Sequence, residues 1–397
     1  EELLKEKRLF ILDYKELRDL KQHENMYFYA PVMLVYKELL PNNESHLNVL
    51  GIQLSPDSDV VYTPDMEHKN RYHLAKLFVA SADHQVHEFK WHLGLSHLGI
   101  EAIAISVHNC LSPGTPIRAL LEPHFKDTIG INYTARQTLV AKEYPFTDHT
   151  FAIGTKQALK VVSDAWKEYD FFKFSFPEQL KARGFDEQKS DGLDNYYYRD
   201  DGFLLWNAIG EYTKDFVDHV YKTDQAVAEN ADIKKWADEV ANVAKVPGFP
   251  AKIETKQLLA HVLQIIIWNA SAFHSVVNFP QWTYLGFMPN RPNALYNVMP
   301  PEDGKDISPE YIEQCLPSKL LALFQVAFSW ILSAPSDDVL ADIHSLETVY
   351  PGGNEKFHKL LDEMTEKITA RNKKLKEAGK APYIFCLPKY VAMSVNI

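Results

Sequence analysis

His87-Glu88-Phe89-Lys90-Trp91-His92-Leu93-Gly94-Leu95-Ser96-His97 sets three histidines five residues apart inside a long apolar stretch, Tyr72 to Leu111. An α-helix turns about 100° per residue, so a five-residue step carries the second ring roughly 140° from the first. Neighbouring histidines on such a helix do not share a ligand. A π-type widening, which bonds i to i+5, returns them to one face, and such bulges concentrate at functional sites. Three unrelated histidines, two packed and one solvated, satisfy the same residues. This stretch alone does not choose between the two.

A second segment, Ile265-Ile266-Ile267-Trp268-Asn269-Ala270-Ser271-Ala272-Phe273-His274-Ser275-Val276-Val277-Asn278-Phe279-Pro280-Gln281, adds a polar pair. His274 and Asn278 are four apart and share a helix face. The run before them is apolar enough to be buried nearly all round, where an unsatisfied polar group is costly. A bond between the pair, or to backbone, would satisfy them. Two buried helices that both carry ligand-type side chains at paired spacings favour a metal between them instead.

The pattern His-x4-His-x4-His, followed by Trp-x-Ala-Ser-Ala-x-His-x3-Asn-Phe-x-Gln, resembles the lipoxygenases. Arg8-Leu9-Phe10-Ile11-Leu12-Asp13-Tyr14 is similar to the family's entry motif, and Ala30-Pro31, Ile52-Gln53-Leu54 and Leu74-Ala75-Lys76 follow in the family's order. So do Pro123-His124-Phe125, Ile131-Asn132-Tyr133-Thr134-Ala135-Arg136, Asp201-Gly202 with Trp206, Asn290-Arg291-Pro292 and the final Ile397. The resemblance covers nearly the whole chain. It implies a mainly α fold: one large helical catalytic domain, residues 1–397, with a small antiparallel sheet near the N-terminus. It also implies non-haem iron, where spacing alone said only metal. The family's N-terminal β-barrel domain is missing from these residues, and Glu1, without methionine or a signal-like stretch, suggests a piece of a longer protein with a fusion partner upstream.

Composition sets the limits. Hydrophobic residues make up 46% of 397, without a break in character, which allows one large core. A net charge of −11, spread along the chain, argues against nucleic acid and against long-range attraction to anionic membrane. Cys110, Cys315 and Cys386 show no paired spacing, which fits a reduced, cytoplasmic setting, with peripheral membrane contact left open. The most apolar runs are interrupted by His, Asn and Ser and read as core helices, not membrane spans.

In chain order, Leu9–Leu12, Val32–Tyr36 and Leu50–Leu54 are expected strands, the last two joined by a turn at Pro41-Asn42-Asn43-Glu44. Leu74–Leu111 is the expected metal helix, ended by Ser112-Pro113-Gly114-Thr115-Pro116. Helices are further expected from Ile117 to Phe125, Ile131 to Lys142, around Lys160–Trp166, Asp201 to Val220, Pro317 to Ser333 and Asn354 to Glu377. The tail Tyr383–Ile397 lacks helical patterning, and its last seven residues carry no charged side chain. That is poor composition for a solvated end. Tucking into a groove would satisfy it; so would a terminal carboxylate compensated by a metal cation.

The resemblance implies His87, His92, His274, Asn278 and the carboxylate of Ile397 as iron ligands. It leaves His97 structural and makes Gln281 the residue that orients Asn278. The implied reaction removes hydrogen from a carbon flanked by two cis double bonds in a polyunsaturated fatty acid of the linoleate, linolenate or arachidonate class. Addition of O2 then gives a fatty-acid hydroperoxide. Leu139 and Leu332 correspond to leucines that clamp the pentadiene, Phe146 to a deeper channel position, and Ala135 to the position where alanine tends to accompany S oxygenation. Arg291 would meet the substrate carboxylate, or be structural in its Asn-Arg-Pro turn. Thr115 and Pro280 depart from the family pattern without removing a ligand. A non-catalytic fatty-acid binder of the same fold and a zinc hydrolase are the alternatives. The hydrolase would want Glu88 or Glu101 as general base, and neither sits in a His-Glu-x-x-His setting.

Overall fold

The computed structural model describes all residues except 42–44, 144–145, 188–191, 344–345 and 347–348. Three antiparallel strands in sequence order, β1 (Leu9–Asp13), β2 (Val32–Leu39) and β3 (Ser45–Gln53), form the sheet, with Leu9 opposite Tyr36 and Val32 opposite Gln53. β3 starts five residues before the expected Leu50. Its first half is polar and largely exposed, so an apolar run marks only the half that packs. The turn expected at Asn42-Asn43-Glu44 lies outside the described residues.

Everything after the sheet is helix and loop. The expected metal helix is one continuous rod in three parts: α1 (Lys69–Val86), a π-helical segment (His87–Leu98) and α2 (Gly99–Cys110). It begins five residues before Leu74 because Arg71, although charged, is buried. Arg71 donates to the backbone carbonyls of Lys305, Pro300 and Pro301 and pairs with Glu302 and Asp303. Gly94 marks the widened part. A Cβ there would lie 2.9 Å from the Phe89 carbonyl, five residues back.

Two other expected helices are shorter than their patterns. The α-helix at Pro116–Leu121 tightens to a 3-10 turn over Glu122–Phe125, where Pro123 has no N–H to give. α3 (Thr128–Thr138) stops four residues before Lys142, and the Leu139 carbonyl accepts instead from the Thr147 N–H and hydroxyl.

A second rod crosses the first. α4 (Tyr197–Val220) packs along α5 (Lys256–Trp268), which is capped by the Thr255 hydroxyl accepting from Leu258 N–H. α5 runs through a π segment (Asn269–Phe273) into α6 (His274–Asn278), and Gln281–Leu285 follows as α7. Lys256–Leu285 is long and apolar enough to cross a membrane, but most of it is buried inside the protein. The core has two parts, one around α4 and α5 and one around α1 and the sheet, and Trp91 packs against both. The π segment carrying the histidines therefore runs where the two parts meet. All three cysteines are buried and unpaired.

α8 (Lys319–Leu332) is inverted relative to an ordinary surface helix. Its buried residues are Gln325 and Ser329, whereas Leu323 is 62% and Trp330 63% exposed, with Leu320, Phe324 and Ile331 also outward. Gln325 turns inward because it accepts from Asn293 N–H and donates to the Arg291 carbonyl. α9 (Gly353–Glu377) closes over α4, as its pattern predicts.

The tail docks as a strap. Leu340 N–H donates to the Val391 carbonyl, Met393 N–H to Asp338 O and Ala392 N–H to the Ser275 hydroxyl, while Val391 to Val395 are buried. Burying the Val391, Met393 and Val395 side chains contributes roughly 1.5–3 kcal/mol each.

Candidate metal centre

Three imidazoles converge where the rods cross. His92, His97 and His274 are all buried, and one ring nitrogen of each lies within 4.8 Å of those of the other two. His92 Nδ1 donates to Glu88 Oε2 at 3.1 Å, and His97 Nδ1 donates to Asn132 Oδ1 at 2.8 Å. Both Nδ1 protons are thus claimed from behind, and the two Nε2 atoms face each other 3.1 Å apart.

Burial, then the charge of neighbouring His92, pushes His97 down to about 3, so its ring is neutral. His274 is held well below its ordinary value by burial and by its neighbours His97 and His92. Neither ring nitrogen of His274 completes a hydrogen bond of good geometry, and the backbone of Ile397 and Ser394 lies alongside. Two ring nitrogens this close need a proton or a metal cation between them. Buried imidazole nitrogens converging in this way are what a transition-metal site needs, so the residues present fit the group.

His97, and not His87, lies with His92 and His274. All three histidines of the π segment share a face, as a five-residue repeat requires. The crossing rod reaches only the second half of that row. Nε2 of His87 donates to the Val277 carbonyl at 2.7 Å, and the ring groups with His84 and Glu88, outside the converging trio. His97, expected to be structural, stands in the trio instead. The sequence repeat is symmetric, so it carries no information about where the second rod crosses.

Asn278 is buried on the face it shares with His274. Its Oδ1 accepts from Gln281 Nε2 at 2.9 Å and its Nδ2 donates to the Leu332 carbonyl at 2.7 Å. That fixes the amide orientation and leaves Oδ1 a second lone pair. Gln281 thus holds the Asn278 amide by one hydrogen bond. Ile397 is half-buried at the end of the strap, beside His274. Two residues that matter here were missed as neighbours of the site. Asn132 stood in a quoted motif without a role. Glu88 was weighed only as a hydrolytic base. Burial raises the Glu88 carboxyl, but the charge and hydrogen bond of His92 more than offset that and leave it at about 2.

The expected substrate positions do not fall together. Arg291 and Gln281 line an aromatic cavity of about 520 Å³ beside His87, walled by Trp91, Phe174, Phe273 and Tyr284. Arg291 is already paired with Asp83 at 3.0 Å and lies over the Tyr284 ring. Ala135, Leu139, Phe146 and Leu332 are not among the residues that line this cavity. Ala135 is buried in α3, Phe146 packs on Phe328 at 4.6 Å, and Leu332 gives its carbonyl to Asn278.

The lipoxygenase family model matches residues 1–386. The chain belongs to the lipoxygenase family. It is 30% identical to the linoleate 9/13-lipoxygenase of Pseudomonas aeruginosa over 98% of this chain and 59% of that one. To the allene oxide synthase-lipoxygenase protein of Plexaura homomalla it is 28% identical, over 96% of this chain and 36% of that protein. The solved coral 8R-lipoxygenase superposes with a TM-score of 0.89 at 28% identity, covering all of this chain and 60% of that one. This lipoxygenase chain thus spans three-fifths or less of the length of these relatives.

Proposed function

We propose that this chain is the iron-holding catalytic part of a fatty-acid dioxygenase. His92, His97, His274, the Asn278 amide oxygen and the Ile397 carboxylate would hold the metal. Three imidazoles, one weak oxygen donor and one anion suit non-haem iron. The carrying observation is the pair of Nε2 atoms 3.1 Å apart with both Nδ1 protons already donated elsewhere.

When bound, iron supplies the one-electron couple needed to take hydrogen from a bis-allylic carbon and to let O2 add. The protein's part is to hold and to exclude. Glu88 and Asn132 fix the ring orientations, Gln281 fixes the amide, and the buried strap delivers the terminal carboxylate. Aromatic and aliphatic walls keep water away from a radical-bearing chain. Polyunsaturated fatty acids are the proposed substrates, with O2 as co-substrate. The Pseudomonas relative is named for linoleate, and a solved lipoxygenase with a TM-score of 0.89 to this chain is described in complex with arachidonate. Ala135, Leu139, Phe146 and Leu332 remain the proposed acyl contacts. Arg291 would meet a substrate carboxylate with the guanidinium N–H groups that its Asp83 pair leaves over, or in place of Asp83.

A hydrolytic reading fares worse. Glu88 is committed to His92, and Glu101 is committed to Arg136 and Asn132, so neither is free to act as a base. The test is metal content by mass spectrometry together with oxygen uptake and chiral product analysis on C18 and C20 polyenes. Stoichiometric iron and conjugated hydroperoxide are expected. Stoichiometric iron without oxygen uptake would favour a fatty-acid binder, and zinc with esterase activity would overturn the reading. One residue appended after Ile397 is expected to abolish iron retention; an active extended protein would remove the carboxylate from the site.

A further inference from the structure

His97 is the histidine that the sequence reading left structural, and three side chains stand in line behind it. Asn132 Nδ2 donates to the His97 backbone carbonyl at 3.0 Å and to Glu101 Oε2 at 3.1 Å. Both partners only accept, so the NH2 end of the amide must face them. Oδ1 must then face His97, and the His97 nitrogen 2.8 Å away must carry a proton. Amide orientation and imidazole tautomer, usually left open by heavy-atom positions, are settled by this chain of acceptors.

The chain continues outward. Arg136 donates to both carboxylate oxygens of Glu101, from Nη1 at 3.0 Å and from Nη2. Asn132 and Glu101 are buried, whereas Arg136 reaches the surface. α2, α3 and the π segment are thereby tied together at one point.

We infer that Asn132, held by the Glu101–Arg136 pair, is a positioning residue. It locks His97 in the Nδ1–H tautomer and so presents the Nε2 lone pair to the metal. The inference deepens the proposed function and rests on it for the metal, but the tautomer is a property of the protein without metal. His92 and His97 are supported differently, one by a carboxylate and the other by a neutral amide. A carboxylate behind an imidazole makes it the more basic ligand. The two histidines of the π segment are thus unequal donors by construction.

The test uses the metal-free protein labelled with 15N at histidine. Long-range 1H–15N correlation spectra are expected to show His97 protonated at Nδ1. Asn132→Leu removes the acceptor at nearly constant volume. It is expected to shift His97 toward the Nε2–H form and to weaken iron retention about 10- to 100-fold. The double variant Asn132→Asp with Glu101→Gln keeps an acceptor behind the His97 ring and a donor at residue 101, gives up the bond to the His97 backbone carbonyl, and moves the negative charge next to His97. It is expected to keep the tautomer, move the His97 Nδ1 resonance and lower the midpoint potential of the iron-loaded protein. Rescue of this kind is not expected if Asn132 merely fills space.

An unchanged His97 tautomer in folded Asn132→Leu would overturn the proposal. If Asn132→Leu does not fold, an unmoved resonance and potential in the double variant would overturn it equally. A correct tautomer in a protein that takes up no iron would instead count against the proposed function and leave the role of Asn132 intact.

Discussion

His97 and His87 stand at equivalent places in a symmetric repeat and have different neighbours. His97→Ala is expected to lose nearly all bound iron. His87→Ala is expected to keep it and to lose about 1–3 kcal/mol of stability, because the Val277 carbonyl is left without its donor. Metal analysis and urea denaturation of the two variants separate these outcomes; iron loss in His87→Ala alone would restore the expectation drawn from sequence. His124 makes a second residue-scale prediction. Burial pushes it down to about 4 while its Nδ1 donates to the Met393 carbonyl at 2.8 Å, pinning the strap. The unfolded chain takes up that proton near pH 6.5. Stability is therefore whole above that pH and falls as acid carries the solution toward pH 4, by up to about 3 kcal/mol from this group. Thermal unfolding from pH 7.5 to 4.5 is expected to show the slope, and His124→Gln to make it shallower by one group's share, the rest coming from other buried histidines such as His84. Residue types and spacings were enough to find the metal region. The choice among identical histidines was not in them, because it depends on where a segment 180 residues away crosses.

At the scale of elements, the π segment decides the site. A five-residue repeat stays on one face only where the helix bonds i to i+5, and Gly94 keeps the widened backbone free of its own Cβ. Gly94→Ala would force the Phe89 carbonyl to move and is expected to cost about 1–3 kcal/mol, with weaker iron retention. Wild-type stability and iron content in that variant would show that the widening tolerates a side chain. The two rods, the three strands and the docked strap were all legible, since each rests on an apolar run or on a missing charge. Helix starts were less so. Lys69–Tyr72 looks polar, yet it is helical because Arg71 finds five acceptors on a loop more than 200 residues away. Local pattern carries no trace of such a partner. The early stop of α3 at Thr138 likewise depends on Thr147 competing for a carbonyl.

At the scale of the whole molecule, family membership was legible from motifs spread along most of the chain, and the shape of the substrate space was not. The cavity beside His87 collects Gln281 and Arg291 but not the expected acyl contacts, so α8 and α3 meet the site from another side. α8 also has an outer side. Leucine, phenylalanine, tryptophan and isoleucine point away from the protein there, and the nearby Trp282, Tyr284 and Phe287 are exposed as well. Residues 279–301 and 316–336 contain no aspartate or glutamate in a chain with 53 of them, so charge repulsion between copies is weakest where stickiness is greatest. Light scattering of the purified chain is expected to report concentration-dependent clustering that mild detergent reverses. Leu323→Lys with Trp330→Lys is expected to suppress it without touching iron content. A helix turned inside out is thus a colloidal property as much as a structural one, and it sets how the chain must be handled in the test tube.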